Sequence, residues 1–475
     1  MAQSEARTYE LRRNATGFLG VLYNSLAGQA PAYSIASGAA LIMGSAMAAA
    51  PLAMLLTLLG VLAIVYSIYV LGRRFPHAAS FYAYVTNTIN SRVGFLNGVV
   101  YTVLYSIIGV GSIAIAFAYL GTEGIYAIVG HPVNPLVLLP IPIVLALVPA
   151  ILGIRPSIRT EMTLTSVEIA ILLVFVALTL YSHPTSLSLL PFTPQGTFAT
   201  GLGVLAGLSG GLVFGITYFM GFEVSTQISE EASNPRRSVP LGTVWATVIM
   251  GVLYILVTYA VIVNVGYSQD AITNFVNQAS GMGPNPIYSL IEHYLGVPGL
   301  YLFAISVMFS VFGCYLATLN ATARMLYGMA RDGLLPSWLA KTHPRFKSPH
   351  NALLLTTGVA VVTIALAYLA SYLSGPSNPI ALTYYAMEDA YAIDSLYYVI
   401  SLILIAVGAL KVTGWAGRVA LALGISLLAI TFYYSVTNIW YAVAIVVSIV
   451  LIIIVEFTVL RTRLSGIRQT VCPYC

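Results

Sequence analysis

Charge is scarce in this chain. Of 475 residues only 7% are Asp, Glu, Lys or Arg, while 59% are hydrophobic; ordinary soluble domains carry about 25% charged residues. A soluble fold of this length could not hide that much apolar surface, which leaves a polytopic membrane protein. Lysine is scarcest, with Lys341, Lys347 and Lys411 the whole set. No Gly-x-x-x-x-Gly-Lys-Ser/Thr loop is present, which argues against nucleotide hydrolysis. Cys314, Cys472 and Cys475 make no disulfide framework, and the terminal Cys-Pro-Tyr-Cys reads as an idle tail. His77, His131, His183, His293, His343 and His350 are placed in loops. That argues against an intramembrane histidine relay or a zinc protease, and neither metal nor cofactor is expected. The first apolar stretch follows Arg7, Arg12 and Arg13 and is too long for the core of a secretory leader.

What is abundant is apolar sequence in long runs. A helical span needs about 20 mostly apolar residues. Twelve such runs fall at 16–43, 49–71, 93–120, 135–153, 161–181, 200–231, 240–264, 299–326, 352–373, 388–410, 416–434 and 437–459. The expected fold is an all-α polytopic membrane protein. Cytoplasmic loops collect Lys and Arg. With twelve spans and an inside N-terminus, the inner segments hold all 20 basic residues, from Arg7 to Arg468, and the outer loops hold none. The formal net charge of +5 is then a topology signal and not a nucleic-acid footprint. A multi-pass protein of the cell membrane with cytoplasmic N- and C-termini is expected; its oligomeric state is open.

Two spans are long and interrupted. The first carries Gly28 and Pro31 midway, and the sixth carries Gly207, Gly210, Gly211, Gly215 and Gly221. Proline removes a backbone donor and clashes with the preceding turn. Glycines also let membrane helices pack closely, so no single one is decisive. The pairing says more. Five spans separate the two interruptions, and because five is odd, a repeat of spans 1–5 in 6–10 must be inverted. Interrupted spans at matching positions of two halves point to a transporter's midplane site. Unwound backbone is tolerated there only where protein or a water-filled cavity satisfies it. Half-helix N-termini offer N–H groups to an anion, and carbonyls at the other broken ends can accept from a cation. A zwitterion such as an amino acid fits both. The expected organisation is 1–15 as cytoplasmic N-terminus, 16–182 and 200–410 as the two repeats, 411–460 as two added helices and 461–475 as cytoplasmic tail.

Three strings carry a family resemblance. "RMLYGMARDGLLPSWLAKTHPR" at 324–345 resembles the signature after the eighth span of amino acid–polyamine–organocation superfamily permeases. "FPHAASFYAYV" at 75–85 is similar to that family's segment between spans two and three, with Ala79 where Gly is usual, and "GFEVSTQISEEASNPRRSVP" resembles its sixth span and following loop. The resemblance runs from about residue 16 to 410. It implies a LeuT-like five-plus-five inverted repeat with two extra helices, spans one and six discontinuous, and secondary transport of amino acids or related small amines. It further implies a substrate carboxylate on the N–H groups of Ala27, Gly28, Gln29 and Ala30, and an amino group on carbonyls around Phe219, Met220 and Gly221. Tyr218 or Phe219 would close the pocket. The family's first break commonly reads Gly-Ser-Gly or Gly-x-Gly, whereas this chain has Ala27-Gly28-Gln29-Ala30-Pro31, which leaves the carboxylate donors open by a residue.

An ionised side chain at the bilayer centre costs roughly 3 kcal/mol on insertion scales, so acids within spans are functional candidates. These are Glu161, Glu168, Glu223 and Glu456, with Glu388, Asp389 and Asp394 near an outer end. Glu161, two residues from Arg159, is expected to be solvated or paired, and Glu456 to pair with Arg461. Where some proton-coupled members of the resembling family have a Lys, this chain has Glu168. It could carry a proton, help hold a cation, or bond a neighbouring helix, so H+ and Na+ both stay open as coupling ions. Glu223 could receive a substrate amino group, line the route to it, or brace the unwound backbone. Ser310, Cys314, Thr318 and Asn320 of span eight could face an ion site on the first helix. The expected function is secondary active transport of amino acids by alternating access, as proton- or sodium-coupled symport. An amine or polyamine transporter and an amino acid exchanger are the alternatives. A transport-dead sensor on the same fold is more remote, since the inner loops are short, and no converging enzyme chemistry is found in the spans.

Overall fold

A computed structural model describes residues 10–279, 285–376, 378–435 and 439–455. Arg7, Glu456, Arg461, Arg463, Arg468, Cys472 and Cys475 lie outside the described residues. Among the described residues there is no strand; the one extended contact is an isolated bridge between Thr16 and Ala232. The helices are α1 (Phe18–Gln29), α2 (Pro31–Ala46), α3 (Ala50–Arg74), α4 (Ser80–Thr88), α5 (Ser91–Val129), α6 (Pro135–Leu152) and α7 (Ile154–Ser182). After them come α8 (Leu202–Phe219), a 3-10 segment Val224–Glu231, α9 (Pro235–Val265), α10 (Gln269–Ala279) and α11 (Pro286–Arg331). The last four are α12 (His350–Leu373), α13 (Pro379–Leu410), α14 (Trp415–Ser435) and α15 (Ile439–Val455).

Among the described residues, ten stretches are long and apolar enough to cross a membrane. One of them, Phe18–Arg74, holds two crossings, because the 3-10 turn Met47–Ala49 separates α2 from α3. Counting the shorter apolar α15 as a crossing gives twelve among the described residues, as the apolar runs predict. The architecture is the LeuT-like five-plus-five inverted repeat with two further helices. Its surface is apolar as a lipid-facing protein requires: Leu202 is 82% exposed and Leu205 64%. Many polar side chains of the spans turn inward instead.

Several boundaries differ from the sequence reading, each for a local reason. The fourth and fifth crossings meet at Gly153, whose φ of 105° permits an abrupt turn, so α7 starts at Ile154 and takes Arg155 and Arg159 into its first turns. α5 runs nine residues past the expected end and buries Glu123. Within α5, Val100–Ile107 is wound as a π-helix, a form that occurs mostly as short bulges inside α-helices and frequently at functional sites. α11 holds a non-helical Gly296, at φ 65°, ahead of the eighth crossing, and His293 lies before that kink, inside a helix and not a loop. His350 is likewise the first residue of α12. The resembling string at 75–85 runs from the loop after α3 into α4, where its residues from Phe81 to Val85 are fully buried.

Candidate functional site

The first and sixth crossings break side by side. In the first, the break is one residue wide: Ala30 adopts the left-handed conformation (φ 47°, ψ 75°), and Pro31 opens α2. Proline suits the first position of a helix because its missing N–H would be unsatisfied there anyway. In the sixth, α8 ends at Phe219, and Gly221 turns the chain with φ 94°. The half that follows Glu223 is wound as 3-10 turns, Val224–Glu231, and not as an α-helix. The two breaks touch through their backbones. A Cβ on Gly28 would stand 2.5 Å from Gly221 O, and a Cβ on Gly221 would stand 2.3 Å from Gly28 O. Two glycines are needed for this approach, and a left-handed turn is needed as well at Gly221.

Ala27, Gly28 and Gln29 are the last turn of α1, and the Ala30 N–H donates to the carbonyls of Leu26 and Ala27, 3.2 Å each. The free N–H groups expected at 27–30 are therefore spent inside a helix C-terminus. The physical reason is polarity: a helix end releases carbonyls, and only a helix start releases N–H groups. The donors freed by this break lie two residues on. Ala32 N–H donates to Glu168 Oε2 at 3.2 Å, and Tyr33 N–H to Ser310 Oγ at 3.1 Å. Released carbonyls are met too. Gly28 O accepts from Cys314 Sγ at 3.2 Å, and Gln29 O from Ser34 Oγ at 2.9 Å. The Tyr254 hydroxyl lies 2.7 Å from Gln29 O and 3.0 Å from Tyr218 O, and so spans both breaks. Phe219 O and Gly221 O accept from the N–H groups of Phe222 and Val224. Tyr218 and Phe219 are buried, their rings edge-on to Tyr254. Met220 is the partly buried turn residue between them and Gly221.

Glu223 is fully buried and sits in a cage of donors. Oε1 accepts from the hydroxyls of Tyr101 (3.0 Å) and Tyr105 (3.2 Å). Oε2 accepts from the Tyr398 hydroxyl (2.7 Å) and the Gly221 N–H (3.1 Å). Four donors fill a carboxylate's acceptor capacity. Here the side chain bonds the turn it belongs to and ties that turn to α5 and α13. Tyr101 and Tyr105 come from the π-wound part of α5, which turns both rings toward the sixth crossing. None of Tyr101, Tyr105, Tyr398 and Tyr254 was singled out in the sequence, although the spacing of the first two places them on one helical face.

α7 lines the first crossing with one buried face, Glu161, Thr165, Glu168 and Leu172. Glu161 is 0% exposed and accepts from Asn24 Nδ2 at 2.9 Å. The expectation that it is solvated or paired with Arg159 is wrong, because residues two apart on a helix do not share a face, and Arg159 is exposed. Asn320 faces along its own helix, bonding Leu316 O and accepting from Arg324 Nη1 at 2.7 Å, so it does not reach α1. Thr318 is buried one turn after Cys314 and interacts with that thiol. Asp394 is buried against Ser112 Oγ at 2.8 Å, and Glu123 accepts from the Tyr119 hydroxyl at 3.0 Å. Glu388 accepts from Tyr384 at 2.5 Å on a more exposed part of α13. Among the described residues no group of three His, Cys, Asp or Glu side chains could hold a metal ion.

One end of the bundle is closed by ion pairs. Arg324 Nε lies 2.6 Å from Glu231 Oε2 with both side chains buried. Arg331 forms a forked pair with Glu230 at 2.6 and 2.7 Å and reaches His77 Nε2 at 3.0 Å. Glu230 Oε1 also accepts from Ala78 N–H, and Glu231 O from Ala15 N–H. The 3-10 segment is thereby fastened to α11, to the loop before α4, and to the residues just ahead of α1.

Among the described residues, a helical bundle whose first and sixth crossings break in contact with each other defines the LeuT-like fold class. The chain belongs to the amino acid permease family, whose sequence pattern matches residues 20–411. It is 30% identical over 215 residues to a methylthioribose transporter of Bacillus subtilis, covering 44% of this chain and 40% of that one. Against a vacuolar cationic amino acid transporter of Arabidopsis thaliana it is 30% identical over 185 residues, 37% of this chain and 26% of the relative. Against the branched-chain amino acid permease BcaP of Bacillus subtilis the identity is 26% over 199 residues, 41% and 38% of the two chains. The alignments thus span less than half the length of these relatives. Among solved structures, MhsT in complex with L-phenylalanine superposes with a TM-score of 0.58 over 89% of this chain and 98% of that one, at 13% identity. A manganese transporter of Eremococcus coleocola gives 0.54 over 94% and 95%, also at 13%. At that identity the likeness is one of fold.

Proposed function

We propose that this protein is a secondary active transporter that carries amino acids across the cell membrane by alternating access, in symport with H+ or Na+. The observation that carries the reading is the contact of the two breaks at Gly28 and Gly221. It brings a helix start, several carbonyls and the aromatic side chains of Tyr218, Phe219 and Tyr254 to one place inside the bundle. Such a place offers an anion seat beside carbonyl acceptors, the complement of a zwitterion. Family membership and relatives named for amino acids support it. Placing the N- and C-termini in the cytoplasm is supported by the one-sided distribution of the 20 basic residues. The bilayer is the partner, and the side-chain pocket sets which amino acid is taken.

Glu168 favours a second reading in one respect. Its carboxylate already occupies the Ala32 N–H that an incoming carboxylate would use. A substrate without a carboxylate, such as a small amine, would leave that bond in place; an amino acid must displace it. Either way Glu168 is tied to the first break, so it is a coupling candidate. Gradient-driven uptake and substrate exchange in proteoliposomes separate the roles. Glu168→Gln is expected to lower gradient-driven uptake at least tenfold more than exchange, and wild-type rates in both modes would remove Glu168 from coupling.

A further inference from the structure

Glu161 and Asn24 leave an unusual remainder. Glu161 Oε2 accepts from Asn24 Nδ2 at 2.9 Å, yet Glu161 Oε1 and Asn24 Oδ1 are both buried without a hydrogen-bond partner. The two side chains are 0% and 1% exposed. Buried polar atoms are nearly always satisfied, and an orphan calls for a missing partner. Here both orphans are acceptors, and they belong to the two groups already joined by one bond. A single proton on Oε1 satisfies both. Oε1–H then donates to Oδ1 while Nδ2–H donates to Oε2, and the acid and the amide close a two-bond ring. A sodium ion fits less well, because it needs about six oxygen ligands and would face the Asn24 N–H groups.

We propose that Glu161 and Asn24 form a proton-binding site, an acid–amide pair that fastens α1 to α7 when protonated and loosens when the proton leaves. The pair lies seven residues, about 10 Å of helix, from Glu168 on the buried face of α7, toward the arginine-bearing end of the bundle. Loss of the proton sets a carboxylate oxygen against the Asn24 carbonyl, both in a site closed to water, and this favours separation of α1 from α7. The charged neighbours do not replace the proton. Arg324 of α11 is the cation within electrostatic reach, and Glu231 of the 3-10 segment pairs with it. Arg155 and Arg159 of α7 point outward, as do Arg236 and Arg237 of α9. Tyr23 of α1 bonds Ser166 instead, and α6 contributes no titratable side chain.

Infrared spectroscopy of the full-length protein in lipid tests the pair without any substrate. A protonated-carboxyl C=O band is expected near neutral pH. It should vanish in Glu161→Gln, which keeps the ring as an amide–amide pair, and shift in Asn24→Ala. If Glu161→Gln removes no such band, or if the band is unmoved by Asn24→Ala, the acid–amide pair is overturned. The transport role rests on the proposed function and has its own readout. In vesicles competent for substrate exchange, Glu161→Gln should exchange substrate while substrate-driven proton movement falls to the leak. Wild-type proton movement in the variant would refute the coupling role. If no substrate exchange occurs even in the wild-type protein, the transporter reading fails while the spectra still decide the pair.

Discussion

At the scale of single residues, the positions that looked costly in a membrane span are accounted for by the break they serve. Gly221 is required twice, by a φ of 94° and by the approach to Gly28 O. Gly221→Ala would therefore combine backbone strain of about 1–3 kcal/mol with a backbone clash. A clear drop in thermal midpoint in detergent is expected, whereas Gly358→Ala, with open space around the added methyl, should be near neutral. Equal midpoints for the two variants would contradict the assigned contact. Glu223 is braced by three tyrosines and its own turn, so in this conformation it holds the unwound backbone and offers no free oxygen. Its three possible roles could not be narrowed in sequence, because Tyr101, Tyr105 and Tyr398 lie more than a hundred residues away on either side. Glu161 is hard to place in sequence for a simpler reason: its nearness to Arg159 along the chain is not nearness in space, because residues two apart on a helix do not share a face.

At the scale of elements, the interruptions were legible and their internal register was not. Gly28, Pro31 and the glycines of the sixth span announce breaks in any sequence that otherwise reads as continuous apolar helix. Nothing in those strings says that α1 keeps its ladder through Gln29, or that the donors freed begin at Ala32. That depends on where the left-handed residue falls, and Ala30 is not a residue type that advertises it. The winding of Val224–Glu231 as 3-10 turns was equally hidden. Its many polar side chains are anchored to other elements, as in the bonds of Ser225 to Ser25 and of Thr226 to Ser80. The buried Arg324–Glu231 pair is the firmest of these anchors and yields a double-mutant prediction. Removing one partner of a buried pair costs about 3–5 kcal/mol, whereas replacing both by apolar residues is often close to neutral. Arg324→Leu should therefore lower the thermal midpoint strongly, and Arg324→Leu with Glu231→Leu should recover most of the loss. A double variant as unstable as the sum of the singles would show that the pair does not act as a unit.

At the scale of the whole molecule, composition and hydropathy were enough for the fold class. Twelve apolar runs, two paired interruptions and three family strings converge on the LeuT-like architecture that the chain has. The packed interior was less legible, since membrane spans are apolar all round and give little sign of which face turns inward. The buried polar side chains mark that face: α7 turns Glu161, Thr165 and Glu168 inward, and α13 turns Asp394 and Tyr398. Both helices pass the crossing of the breaks. The central claim is that this crossing binds and carries a small amino acid or amine. Counterflow in proteoliposomes across a panel of amino acids and amines tests it most directly, with labelled substrate outside and unlabelled substrate loaded inside. The account predicts transient accumulation of label for at least one compound, abolished in Gly28→Val, whose side chain would fill the contact. No exchange for any compound in folded, wild-type protein would contradict it.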